Sequence, residues 1–414
     1  MSETPTISPP PPEAGPTKHG EGAKHERDGQ ATQVIREIMS GNAIISVLAV
    51  VVALVIGGIL IAVTDARVIA SSSYFFADPG ATFSAVWASI SEAYGALWRG
   101  ATYDPTARTW QGQLGIFETL TFATPLILAG LAVTLAFRTG LFNIGAQGQI
   151  IMGATFAGVV GFQMHLPPVV HLLAVILAGA LGGAIWGGIA GFLKARTGAH
   201  EVIVTIMLNY IAVSLVLYLL KNQLKAPDST NPISPQMDAN AMFPLLLGPN
   251  FRVHAGLILA VLAVIAVDWL LNRSTLGFEY RAIGANPKAA RTAGMLVSRG
   301  YITVMLISGA LAGLAGVSQI AGTEKSLDSE IAGSIGFDAI TVALLGRSKP
   351  WGTFFAALLF GAFKAGGTSM AVNADVSIDI VAVVQSLIVL FIAAPPLIRS
   401  IFRIKAVSHE GANA

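Results

Sequence analysis

From Ala43 onward the chain runs as long apolar stretches separated by short polar connectors. Ala43–Val63 carries no charge over 21 residues, and about 20 apolar residues are enough to cross the hydrocarbon of a bilayer as a helix. Similar stretches recur near 115–137, 148–164, 168–193, 202–220, 254–271, 301–320, 331–346, 351–363 and 377–394. The pattern predicts an all-α, polytopic membrane protein with about ten transmembrane or half-spanning helices. The stretches 331–346 and 351–363 are short for full spans. They read as half-helices or a re-entrant element, which is tolerated only where the backbone is buried in protein or lines a cavity.

The remaining organisation follows from what interrupts this pattern. Residues 1–42 form a polar segment with a proline run, Pro9 to Pro12, expected to be a disordered cytoplasmic tail. It has no apolar run after a short basic start, so no cleavable signal peptide is expected. Residues 43–394 form the membrane domain and 395–414 a second cytoplasmic tail. Two long connectors, 64–113 and 221–253, are expected outside. Within the first, Phe83 to Trp98 suits either an amphipathic helix on the outer interface or a folded loop.

Composition agrees with this class. Of 414 residues 54% are hydrophobic and 12% charged, against about 25% charged in soluble domains. The 25 Lys+Arg and 23 Asp+Glu leave a net charge of +2, with no basic cluster interleaved with aromatics, so no nucleic-acid partner is expected. Cys is absent, which excludes disulfides and thiolate metal sites. The 44 glycines suit close helix packing in lipid. None of the 25 basic residues falls inside the ten stretches, where one at mid-membrane costs about 2.5–3.5 kcal/mol. Counted on alternate sides, 17 fall on the side of the termini and 8 on the other. The positive-inside rule therefore places both termini and the 272–300 loop in the cytoplasm.

Several segments hold candidate chemistry. Gly179, Gly183, Gly187 and Gly191, four apart, form one side-chain-free ridge and read as a packing surface. Phe137 to Gln149 places Phe142, Asn143, Gln147 and Gln149 among three glycines between two spans. Its amides suit either a cavity for a neutral polar solute or a solvated turn. Glu201 opens the next span, where the helix dipole favours an anion, and Asn209 and Tyr210 lie within that span. Of the carboxylates at the spans, Glu118, Glu201, Asp268, Asp338 and Asp379, Asp338 is expected to lie deepest, as solute contact, cap or ion-pair partner. In the 272–300 loop Pro287 can open a short helix and Gly294 close it. There is no Gly-Lys dipeptide, hence no Walker A loop, and neither His-Glu-x-x-His nor Gly-x-Ser-x-Gly occurs.

Phe137 to Gln149, His200 to Ala212, Ser274 to Met295, Ser308 to Gly316 and Gly336 to Gly346 closely resemble signatures of bacterial ABC-importer permeases. The group is the branched-chain amino acid and simple-sugar permease family, and within it the nucleoside (guanosine-type) permeases. The likeness runs from about Gly112 to Ala394; it departs at Gln147, where the family often carries an acidic residue. It implies a non-enzymatic transport subunit that binds no cofactor itself, with ATP and Mg on partner ABC ATPase subunits. A second homologous permease chain and an extracytoplasmic substrate-binding lipoprotein would complete the assembly in a bacterial plasma membrane. In that reading 277–294 is the ATPase-coupling helix. Gly277, Glu279, Gly284 and Gly294 match its pattern, and Arg281 and Asn286 lie among them. Phe142, Asn143, Gln147, Gln149, Asn209, Tyr210 and Asp338 are the substrate-binding candidates. Simple sugars are the alternative solute, and an ion-coupled secondary transporter is the remote alternative class.

Overall fold

In the computed structural model the described residues are 42–105, 107, 114–227 and 229–393. The predicted tails, 1–42 and 395–414, lie outside them apart from Asn42. Among the described residues the fold is helical, with a single isolated bridge between Leu245 and His254. The helices are α1 (Asn42–Thr64), α2 (Ala66–Ser72), α3 (Pro79–Ala101), α4 (Gly115–Arg138), α5 (Ala146–Gln163), α6 (Pro168–Thr197) and α7 (Glu201–Lys221). They continue with α8 (Gly256–Arg273), α9 (Thr275–Ala285), α10 (Pro287–Thr292), α11 (Val297–Ser318), α12 (Ile335–Leu345), α13 (Pro350–Ala374) and α14 (Ile378–Ala393). A π-helical turn, Gln319–Glu324, continues α11.

Every predicted stretch falls on a helix. Among the described residues six helices are long and apolar enough to cross a membrane: α4, α6, α7, α8, α11 with its π turn, and α13. A seventh is obtained if Val50–Thr64 and Ala66–Ser72, bent by 70°, count as one span. The 11 residues of α12 reach only about 16 Å at 1.5 Å per residue, so 331–346 is a half-helix as expected. The stretch 351–363 is different: α13 runs on for 25 residues to Ala374. Lys364, assigned by its charge to the connector beyond that stretch, is the fifteenth residue of this helix. The 64–113 connector contains α3, a 23-residue helix capped at Asp78, whose carboxylate accepts from the Ala81 N–H.

Among the described residues three apolar clusters form, two large and a small one of Ile283, Ala290 and Val297 that ties α9 and α10 to α11. The main one gathers α4 to α8, α11, α12 and the first half of α13, including Leu131, Ile150, Val216, Val264, Ala312 and Phe360. The second joins α1 and α3 to the second half of α13 and to α14, through Ala53, Ile61, Ala93, Ala96, Phe363, Met370 and Val384. The glycine ridge of α6 packs on α11, as expected. A Cβ at Gly183 would lie 2.2 Å from the Gly309 carbonyl oxygen, and one at Gly313 2.2 Å from the Gly179 carbonyl. Helix α5 joins this seam, since a Cβ at Gly153 would fall 2.3 Å from Gly313 Cα. The connector after α7 is ordered by backbone bonds: Ser234 N–H donates to Leu327 O (2.9 Å), Met237 to Lys325 O (2.9 Å) and Phe243 to Ala321 O (2.9 Å).

Candidate functional site

Helix α4 stops at Arg138, and Gly140 then takes φ +75°, a left-handed turn that favours glycine. A new helix, α5, begins at Ala146. A helix start leaves N–H groups without intrahelical partners, and its cap residue, Gly145, has no side chain to help. One nearby and one distant side-chain amide do so instead. Asn143 Oδ1 accepts from the Gly145 N–H (3.0 Å) and Asn209 Oδ1 from the Gly148 N–H (2.8 Å). Asn209 Nδ2 in turn donates to the Ile144 carbonyl (3.0 Å).

Asn143 is also the centre of a buried polar knot. Its Nδ2 donates to Gln149 Oε1 (3.0 Å) and to Ser308 Oγ (2.9 Å), while Ser308 Oγ donates to the Ala132 carbonyl (2.7 Å). Asn143 is 0% and Gln149 1% exposed. Asn143→Ala would leave Gln149 and the Gly145 N–H without partners in an apolar core. About 2–3 kcal/mol of stability is expected to be lost, read as a lower melting temperature of the purified chain with the substrate KM unmoved. A raised KM with unchanged melting would instead make Asn143 a solute contact.

Gln147 faces another way and grips the start of α12. Its Nε2 donates to the Gly333 carbonyl (2.6 Å), and its Oε1 accepts from the Gly336 N–H (2.9 Å). One turn on, Asp338 Oδ2 accepts from Ser334 Oγ (2.7 Å) and pairs with Lys364 Nζ (2.7 Å). The two side chains are 21% and 25% exposed, so the pair reaches the surface of the chain. Phe337 is 52% exposed beside it. Phe142 and Tyr210 are exposed aromatics, Phe142 with its ring 4.7 Å from Phe137. The seven candidates therefore divide: Asn143, Gln149 and Asn209 are buried with their amides engaged, Gln147 and Asp338 meet at α12, and Phe142 and Tyr210 stand outward.

The 277–294 region forms two helices rather than one. Ser274 caps α9 by accepting from the Gly277 N–H (3.0 Å), and Asn286 ends α9 and caps α10 by accepting from Lys288 and Ala289. Gly294 takes φ +86° just beyond α10. Tyr280 is fully buried and donates to Thr303 Oγ1 (3.0 Å), anchoring α9 to α11. Arg281 donates to the Leu271 carbonyl, and Glu279 is half-buried. Gly277 packs against the end of α8 and Gly284 against Arg138 O, where a Cβ would come within 2.3 Å. Gly284 thus lies backbone to backbone on the break, near Gly140. Phe278 (57%) and Leu296 (68%) are exposed on this face.

Residues 115–393 match the branched-chain amino acid transport system / permease component family. The chain belongs to that family. Over 328 residues the permease is 40% identical to the guanosine ABC transporter permease protein NupP of Bacillus subtilis, covering 78% of this chain and 91% of the relative. It is 37% identical over 310 residues to the glucose ABC transporter permease protein TsgB13 of Haloferax volcanii, covering 73% and 80%. Over 289 residues it is 38% identical to the nucleoside ABC transporter permease protein NupB of Lactococcus lactis, covering 67% and 79%. No solved structure matches it. Helices α1 to α3 precede the matched range. Lys364 and Ser334 were absent from the sequence-derived candidates. The available signal was that apolar and small residues resume after Lys364 (Ala-Gly-Gly-Thr-Ser-Met-Ala-Val), the mark of a helix running through a charge.

Proposed function

We propose that this chain is the membrane-spanning permease subunit of an ATP-driven importer for nucleosides in a bacterial plasma membrane, with both termini cytoplasmic. The similarity to two nucleoside-type permeases over most of the chain carries the solute class. The partly exposed polar group at α12 supports a solute path there. A Lys–Asp pair midway along an apolar helix avoids lipid and marks a wet path or a chain interface. We assign Gln147 and Asp338, joined by Lys364, to the path, with Phe142 and Tyr210 as aromatics for stacking on a base. Asn143, Gln149 and Asn209 hold the break in shape.

Partner ATPases carrying ATP and Mg dock on α9 and α10, with Gly277, Glu279, Arg281, Gly284, Asn286 and Gly294 shaping that surface. A second permease chain closes the path, and an extracytoplasmic lipoprotein delivers the solute. When the ATPases close, α9 moves. Its contact through Gly284 on the 138–140 backbone tilts the break, and Gln147 passes the tilt to α12. No ATPase site is expected in this chain. The test is uptake of labelled guanosine and uridine in cells expressing the permease with its partners, with ribose as competitor. Unlabelled nucleosides should compete and ribose should not. Competition by ribose alone would move the assignment to sugars, in line with the glucose permease relative. Loss of uptake on collapsing ion gradients at constant ATP would indicate a secondary transporter.

A further inference from the structure

At the end of the bundle where α4, α8, α9 and α13 meet, a cleft of about 320 Å³ opens beside Arg138, Arg281 and Lys349. Two of the cations are held by backbone. Arg138 Nε donates to the Ser348 carbonyl (2.7 Å), and Arg281 donates to the Leu271 carbonyl. Their remaining N–H groups stay available, and Lys349 is exposed. Among the described residues none of the three makes an ion pair. The one carboxylate in the cleft, Asp268, accepts from Asn272 (2.9 Å). The cleft therefore carries a surplus of positive charge and unused donors. Its shape is unusually well fixed: Arg347 and Ser348 both have positive φ (53° and 50°), a conformation costly for non-glycine residues that persists only when the surroundings determine it. Arg138 holds that turn.

The surfaces leading away from the cleft are apolar. On α8, Ile258, Leu262, Ile265 and Trp269 are 50–61% exposed at helical spacing, and on α13 Trp351 and Phe355 are exposed at 43% and 64%. Tryptophans beside a cation cluster, above two apolar stripes, match the profile of a phospholipid: phosphate at the interface, chains along the helices.

We propose that this cleft binds the phosphate of an anionic phospholipid, whose acyl chains lie along the α8 and α13 stripes. Because Arg281 belongs to α9 and Arg138 to the break, the bound headgroup would brace the corner that joins them. The inference does not depend on which solute the permease carries.

Native mass spectrometry of the full-length chain, extracted from vesicles of equal parts phosphatidylglycerol and phosphatidylcholine, tests it. Wild type should retain the anionic lipid with a preference of about tenfold or more, since each Lys or Arg near an anionic surface contributes about fivefold. Lys349→Gln, at an exposed position that the fold does not need, should lower retention about fivefold, and Lys349→Arg should keep it. Arg281→Lys serves as a second variant that retains charge and should bind. Equal retention of the two lipids, or unchanged retention in Lys349→Gln, overturns the proposal. So does displacement of the lipid by millimolar inorganic phosphate, which would mark a soluble-anion site. Loss of a co-purified ATPase subunit from Lys349→Gln with lipid retention intact would assign the cations to that partner, and equally overturns it.

Discussion

Lys364→Ala is expected to lower solute uptake at least about tenfold and to destabilise the chain. Removing one member of a buried pair costs about 3–5 kcal/mol, because the remaining charge is left uncompensated. Here both side chains retain 21–25% exposure, so solvent screening reduces the stability cost to about 2 kcal/mol. The double variant Lys364→Met with Asp338→Asn removes both charges and should recover most of the lost melting temperature. It should not recover uptake, because the path then lacks the charged groups that meet the solute. Full uptake by the double variant would show that the pair is only a strut between α12 and α13, and the path assignment to Asp338 would fail. Transport and thermal unfolding measured on the same preparations separate the two roles.

The second large effect is expected at the glycine seam. Gly309→Val should prevent accumulation of folded chain, and Gly309→Ala alone should cost more than about 3 kcal/mol, at the upper end of overpacking penalties. A Cβ at Gly309 falls 2.2 Å from the Gly183 carbonyl oxygen. No rotamer change relieves a clash with backbone, so α6 and α11 must separate. Separation would also disturb the polar knot, because Ser308, the preceding residue, bonds Asn143. Gly188→Ala is the matched control on α6. Its Cβ would meet only the Leu306 side-chain tip, at 2.7 Å, which can turn aside. Size-exclusion profiles and melting curves of the two variants should differ sharply. A Gly309→Ala chain that melts with wild type would show that α6 and α11 have slack the structure does not reveal.

The helices were legible because hydropathy governs them: each of the ten stretches lies on a helix. The failure at α13 has a physical cause. Hydropathy is broken by a single charge, and Lys364 ended the stretch at 363, whereas the helix continues because Asp338 from α12 supplies the counter-charge. That partner lies 26 residues earlier in the chain and carries no sequence mark of pairing. Similarly, Asn143 and Asn209 were visible as amides in apolar context, but whether they face solute or protein depended on Ser308 and on the Gly148 N–H. Those partners come from elements brought together only by folding. Residues whose job is backbone geometry were easier to find. The ridge from Gly179 to Gly191 and the break at Gly140 showed themselves through glycine alone, because spacing and absent side chains are local properties.

Helix α13 belongs to both large clusters. Ala356, Ala357 and Phe360 sit in the main one, and Phe363 and Met370 in the second, with α1, α3 and α14. Lys364 therefore lies where one rigid rod passes from the first body to the second. A lever loaded at one end transmits torque through its fulcrum, and here the fulcrum holds an ion pair. Helices α1 and α3, which precede the family-matched range, therefore pack on the same rod that carries the partner of the Asp338 carboxylate.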